Sequence, residues 1–468
     1  MYLQQYHYHY DGFLSILKKG LKNYKSYILL VSIIGYFNTL YFKICILICF
    51  SFFIFLILDE KLILKLKFTK RIIRNIIVNV VIYLIFYIFL YQYVWLLPLL
   101  VLLIAFVSFS ILSPIELIIN KYYINKARIK LKRIKPLIIA ITGSAGKTTT
   151  KYFLYHLIKE KYYTFITKGS YNTLMGIVRS INEDMDDLTE VAIFECGVGR
   201  INDISDILKV LDVDISVITT IFPQHLESFK SFDELVNEKA KLALTGSVHF
   251  GLDRILNILY TSNCNRQFVI GKDIILNGDF SFIYQEKIYN WKTKVLGKNN
   301  LINLLFAILI ANYLGLNFDY LERRVKTIEN VTNRLNVKRI NNIVIINDGF
   351  NSNYDGFVDA LEVLNTYLKN KDYCNGRMKK VVITPGIVSG GEFIEEYNKK
   401  IGKIILNKAD ECYLVNSVVS KYIKEVFDQN LYEYHYVESF KEGYLEILKR
   451  TDVAIVLIEN DIPDIYKG

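Results

Sequence analysis

The sequence predicts an α/β protein behind a helical membrane region. Residues 1–135 read as apolar helices, 136–333 as a phosphate-loop domain with a mostly parallel sheet, and 334–468 as a smaller Rossmann-like α/β unit. Three observations carry this. Long, nearly all-apolar stretches occur only before residue 113. The segment 138–151, IIAITGSAGKTTTK, has the order of a buried strand, a glycine turn and the first turn of a helix. After Pro136, short apolar runs alternate with helical patterns, the signature of βαβ units.

Composition narrows the classes. A chain of 468 residues should hold more than one domain, and 52% hydrophobic residues with a positive mean hydropathy place part of it in a membrane. The net charge of +11 does not indicate nucleic acid, because residues 1–135 carry +14 and the remainder −3. The basic excess therefore belongs to the apolar part, where it sets topology. Six cysteines without a C-x-x-C pair argue against zinc and a disulfide framework and fit a reducing compartment. The first 25 residues lack the short apolar core of a cleavable signal peptide.

Residues 27–58 are nearly all apolar, interrupted by Asn38 and Lys43, and 76–112 are again mostly apolar with a weak break at Gln92 and Pro98. Each stretch exceeds one span of about 20 residues. Basic clusters at 18–25, 61–74 and 121–135 all belong on the cytoplasmic side, so each stretch should cross an even number of times. Four spans in two hairpins are expected at the inner membrane, with the remainder of the chain in the cytoplasm. The first pair can instead lie partly in the interface, and buried helices of a soluble domain are the plainer alternative. No recurring charged or paired polar residue suggests a transport path, so an anchor is the simpler role. The basic segment 121–135 reads as an amphipathic linker, either on anionic lipid or as a solvated helix.

In the loop after strand 137–141, Gly143 and Gly146 permit unusual dihedrals and close approach, while Ser144 and Ala145 fill the turn. Exposed N–H groups at the helix start suit a phosphate. Lys147 can reach β- and γ-phosphates, and Thr148, beside Thr149, can ligate Mg²⁺. The bland alternative is a glycine-rich turn before an exposed helix. Further strands are expected at 163–167, 190–195 and 214–221, with helices at 147–160, 173–184, 201–210 and 231–244. Ligands bind at the C-terminal ends of such strands. Glu195, closing VAIFE, can hold Mg²⁺. His225, in TTIFPQHLE, can ligate metal or contact phosphate, or serve only as a structural hydrogen-bonder. Lys239, on a helix opened by the capping box Ser231-x-x-Glu234, reads from spacing alone as one of several exposed lysines. A long buried helix is expected at 297–314, with Asn300 and Asn303 in its first turn, where capping is their ordinary use. A composition shift at 327–334 marks a boundary. Beyond it, strands are expected at 336–347, 380–384, 411–415 and 453–458, and helices at 355–369, 391–407 and 439–449. The loop Asn347-Asp348-Gly349-Phe350-Asn351-Ser352-Asn353 suits a turn or a ligand site.

Taken together, TGSAGKTTTK, GSYNTLMGI, FECGVGRINDI, TTIFPQHLESFKSFDELVNEKAKL, GKNNLINLLFA, NRLNV, INDGFNSNYDG and ITPGIVSGGE, in this order over about residues 137–395, resemble the Mur ligase family. The likeness is greatest to the branch that adds D-alanyl-D-alanine to the UDP-N-acetylmuramoyl-tripeptide precursor. The resemblance implies ATP and two Mg²⁺ ions. It places Gly143 to Thr149 on the ATP-phosphate loop, with Lys147 catalytic, and Glu195 on the magnesium-binding acid. His225 falls on a catalytic residue that helps bind the second magnesium. Lys239 falls on the lysine that is carbamylated in the family, which reverses the reading from spacing. Asn300 and Asn303 fall on adenine contacts, Arg334 on an inter-domain arginine near the phosphates, and Asp348 on the acid that holds the ribose. Asn172 and Thr173 fall beside the phosphate loop, in acceptor or metal positioning, and Asn351 falls near the substrate. The implied reaction activates a substrate carboxylate as an acyl phosphate, which an amine then attacks.

Where soluble members begin with a uridine-nucleotide-binding domain, this sequence has the apolar region. A lipid-linked cell-wall precursor and membrane lipids are therefore expected partners alongside an amino acid or dipeptide amine. Tyr354 and Asn299 depart from the branch's Pro and His, which leaves the amine open. A polyglutamate-type or lipid-precursor amide ligase and a non-catalytic nucleotide-binding membrane regulator are the competing readings.

Overall fold

A computed structural model describes residues 69–89, 97–169, 171–222, 229, 231–244, 248–252, 266–270, 274–277, 280–350, 352–367, 378–388, 391–452 and 454–460. The first expected hairpin, His225 and Asn351 lie outside them. The chain divides into two compact units, residues 1–122 and 123–468.

In the first unit, α1 (Lys70–Phe89) is followed by the start of α2 (Leu97–Ile134). Glu116 is almost wholly buried and accepts from Arg74 Nε at 2.9 Å, with Arg71 3.6 Å away. Ser108 Oγ donates to Asn79 Oδ1 at 3.2 Å, so paired polar residues do occur within 76–112, contrary to expectation. Among the described residues, no helix is long and apolar enough to cross a membrane. The two spans expected over 76–112 therefore have no counterpart there.

In the second unit, the end of α2 corrects the expected basic linker. It packs on the α/β body, with Ala127 and Leu131 buried beside Ile177 and Ile181. Asn182 Nδ2 donates to Tyr123 O at 3.0 Å.

Strands β1 (Leu137–Thr142), β2 (Thr164–Ile166), β3 (Val191–Glu195), β4 (Ile215–Ile218), β5 (Val248–Leu252), β6 (Arg266–Ile270), β7 (Ile274–Asn277), β8 (Ser281–Tyr284) and β9 (Lys287–Asn290) form one sheet in the order 2-3-1-4-5-6-7-8-9. It is parallel from β2 to β7 and antiparallel from β7 to β9. Alternation along β1 explains the two-sided burial. Ile139 and Ile141 join α3 (Lys147–Ile158) and α7 (Lys298–Tyr313) in one core. Ile138 and Ala140 join α4 (Leu174–Asp184), α5 (Asp203–Leu208) and α6 (Phe232–Ala240) in the other.

After α8 (Phe318–Val325), strands β10 (Asn336–Ile340), β11 (Ile343–Asp348), β12 (Lys379–Thr384), β13 (Glu411–Val415), β14 (Tyr434–Val437) and β15 (Ala454–Glu459) form a second sheet, order 10-11-15-12-13-14, with only β10 antiparallel. Helices α9 (Tyr354–Thr366), α10 (Ile394–Lys408) and α11 (Ser420–Gln429) cover one face, and α12 (Phe440–Leu448) the other. The single strand expected at 336–347 is a hairpin, because Asn341 adopts the left-handed region (φ 50°) and reverses the chain.

Candidate active site

Thr142 Oγ1 donates to Cys196 O at 2.9 Å and so ties the ends of β1 and β3 together. The loop that follows needs both glycines. At Gly143 (φ +148°) a Cβ would stand 2.0 Å from Thr219 Oγ1, and at Gly146 (φ +83°) it would stand 2.3 Å from Asn303 Oδ1. Ser144 N donates to Thr220 O (2.7 Å) and Ser144 Oγ to Phe222 O (2.9 Å), while Thr219 Oγ1 donates to Ala145 O (2.5 Å). The loop is thus held by the end of β4 and the first turn of α7, and α3 begins at Lys147 with its N–H groups facing it. Lys147 Nζ folds back onto Gly143 O (2.7 Å) and Ser144 O (3.2 Å), and burial pushes its pKa down to about 8.

Glu195, 1% exposed, lies beside this loop. Its Oε2 accepts from Thr148 Oγ1 (2.9 Å) and Lys151 Nζ (3.3 Å), and its Oε1 accepts from Asn172 Nδ2 (3.3 Å). Lys151, which the sequence reading passed over, also donates to Thr167 O (3.0 Å) and Gly169 O (2.6 Å). Thr149 is buried, and Thr173 caps α4 by accepting from Gly176 N (3.3 Å).

Lys239 is 3% exposed, which overturns the reading from spacing. The Ser231 cap starts α6 as expected, accepting from Glu234 N at 3.2 Å, and the helix then carries Lys239 inward to donate to Gly143 O at 3.2 Å. Burial, with Lys147 as a further cause, holds its amine well below the ordinary lysine range.

Asn300 Nδ2 donates back to Leu296 O (3.0 Å), and Asn303 Oδ1 accepts from Thr150 Oγ1 (3.3 Å). Both are buried; Asn303 stands against Gly146 and braces the loop from α7, while Asn300 ties the start of its own helix. Arg334 Nη2 donates to Thr148 Oγ1 at 3.3 Å, with its guanidinium 4.5 Å from the Phe350 ring centroid. Asp348 Oδ1 accepts from Leu335 N at 3.1 Å. Desolvation pushes Asp348 up to about 7 against the pull of Arg334. A cavity of about 540 Å³ opens from Thr148 and Arg334 past Tyr152, His156, Ile328 and Phe350; Asn300 and Asn303 do not line it.

Among the described residues, no three His, Cys, Asp or Glu side chains stand close enough to hold a metal ion. Thr148 and Glu195 still offer two hard oxygens side by side, a donor set that suits Mg²⁺ completed by phosphate and water.

Residues 141–252 match the family model described as the Mur ligase middle domain. A UDP-N-acetylmuramoyl-tripeptide–D-alanyl-D-alanine ligase of Borreliella burgdorferi is 29% identical over 252 residues, 50% of this chain and 54% of that protein. The ligase of the same name from Rickettsia prowazekii is 25% identical, covering 65% of this chain and 75% of its own. The chain thus spans about half the length of the Borreliella relative it matches. Among solved structures, the MurF ligase of Thermotoga maritima in complex with ADP superposes with a TM-score of 0.63 at 21% identity, covering 73% of this chain and 80% of that one. A MurF of Acinetobacter baumannii gives 0.62 at 18% identity, covering 73% and 78%. The fold is the α/β fold of these ligases.

Proposed function

We propose that the protein is an ATP-dependent amide-bond ligase of the Mur type, acting in peptidoglycan precursor synthesis on a muramoyl-peptide carboxylate and an amino acid or dipeptide amine. The observation that carries this is Arg334. It comes from the approach to the second sheet, yet its guanidinium meets Thr148 of the phosphate loop, directly above Glu195. A nucleotide phosphate placed there meets groups from both sheets, as a ligase needs and a plain binder does not. The similarity to MurF ligases and the ADP of the Thermotoga structure point the same way.

In this reading the cavity beside Tyr152, His156 and Phe350 takes the adenosine, and Asp348, two residues before Phe350 and not itself in that lining, is assigned the ribose. The N–H groups opening α3 and Lys147 hold the β- and γ-phosphates. A carboxylate oxygen of the acceptor attacks the γ-phosphorus and ADP leaves; the amine then attacks the acyl carbon and phosphate leaves. Lys147 and Arg334 stabilise the charge that develops on the transferred group. Mg²⁺ ions, when bound, neutralise phosphate charge; Thr148 and Glu195 would hold one, and His225 would help hold a second. The depressed pKa of Lys239 supports its assignment as the carbamylated lysine, because an unprotonated amine is the form that adds CO₂.

The exposed apolar surface of α1, including Ile77, Leu84, Ile88 and Phe89, together with the basic clusters, supports a form held at the inner membrane face and a lipid-linked acceptor.

Phosphate release is the test. It should require both a muramoyl-peptide carboxylate and an amine, and Lys239→Ala should lose it and regain part with added short-chain carboxylic acids. Release needing neither substrate would reduce the protein to an ATPase.

A further inference from the structure

Lys151 lies one helical turn past Lys147, on the inner side of α3. Its side chain is wholly buried. A lysine there needs a reason, because a buried ammonium without partners is strongly destabilising. Its partners are the Thr167 and Gly169 carbonyls, the Thr167 hydroxyl at 3.5 Å and Glu195 Oε2. The carbonyls supply dipoles, and Glu195 alone supplies an opposite charge. Lys147 and Arg334 also stand close enough to feel the charge of Glu195. One carboxylate thus faces three fixed cations, of which Lys151 alone is hydrogen-bonded to it.

We infer that Lys151 is a positioning residue, the resident counter-cation of Glu195, and that it makes Glu195 accept a divalent cation only together with nucleotide phosphates. The inference rests on the nucleotide-site reading above. A bare divalent cation approaching Glu195 meets a carboxylate already neutralised, with further positive charge behind it. Nucleotide phosphates reverse the sign of that field and make room for the cation. Through Thr167 and Gly169 the same ammonium fixes the loop leading to Asn172, which holds the other oxygen of Glu195. Both carboxylate oxygens are therefore set before any ligand arrives.

The test is Mn²⁺ binding to the full-length protein, read by electron paramagnetic resonance with and without ADP. The wild type should bind Mn²⁺ alone at least about tenfold more weakly than in the presence of ADP. Lys151→Met, which keeps the stem and removes the charge, should bind Mn²⁺ alone about tenfold more tightly than the wild type, and Glu195→Gln in that background should abolish the gain. A merely structural lysine predicts the opposite sign, since a loosened site binds more weakly. Equal affinity of the wild type with and without ADP, or unchanged or weaker Mn²⁺ binding by folded Lys151→Met, overturns the inference. Should Lys151→Met not fold, the wild-type comparison decides alone. If ADP does not bind at all, the nucleotide-site reading falls instead, and the nucleotide-free comparison of Lys151→Met with wild type still decides the role of Lys151.

Discussion

Asp348 and Glu459 end adjacent parallel strands in direct register, so two carboxyl groups meet at the edge of the candidate ribose site. Glu459 is 1% exposed; its Oε1 accepts from Ser352 Oγ at 2.5 Å. Burial, with Asp348 beside it, raises its pKa well above the carboxylate range, and Asp348 rises to about 7. Folding therefore favours the protonated pair, whereas the unfolded chain gives up these protons near pH 4. The sign follows: the pair does not oppose folding in acid, and its cost grows as pH rises from about 4 to 7. Glu459→Gln should be stabilised relative to wild type by about 1 kcal/mol or more at pH 8, and by little or nothing at pH 4.5, in thermal melts at the two pH values. An equal offset at both would show that the pair shares no proton. The rule that singled out Glu195, an acid closing a buried strand, applies equally to Glu459 after AIVLI, so this residue was legible and was overlooked. Lys151 was not: nothing in the local sequence separates a lysine turned into the core from its exposed neighbours, because only the packing of β2 and β3 decides it.

At the scale of elements, helix α7 has no capping side chain of its own, and Gly297 precedes it at φ +88°. Its first amides are satisfied from the other half of the unit: Asp359 of α9 accepts from Lys298 N and Asn299 N, both at 2.9 Å. Since Asn303 of the same helix braces Gly146, the cap supports the phosphate loop at one remove. Asp359→Ala should lower unfolding stability by about 1–2 kcal/mol, with Asp359→Asn retaining part of it, in denaturant titrations. An unchanged midpoint would mean that water replaces the carboxylate at no cost. Elements bounded by the phosphate-loop glycines or marked by a sustained period, β1, α3, β3 and α7, were legible from residue order alone. The strands over 266–290 and the helix 420–429 were not, because four- and five-residue apolar runs and a ten-residue amphipathic stretch are too short to stand out between their flanking loops. The hairpin was hidden because the two-residue reversal at Asn341 and Asn342 leaves the alternation on either side intact.

At the scale of the whole molecule, the proposed membrane setting rests on the basic excess of residues 1–135 and the exposed apolar side chains of α1, and fractionation decides it. If the anchor reading holds, the full-length protein should sediment with membranes and remain there after high-salt and alkaline carbonate washes. Release by salt alone would leave only the interfacial reading, and recovery in the soluble fraction would remove both. A last consequence concerns Thr148, where groups from both sheets meet. A hydroxyl has one proton, and here it points to Glu195, while Arg334 donates from the other side. Whatever lone pair Thr148 still presents can greet only a donor or a cation, and a bare phosphate oxygen finds no proton there. In the proposed nucleotide site, the direction of one hydrogen bond would thus act as a polarity filter, favouring a nucleotide already paired with its metal over one that comes alone.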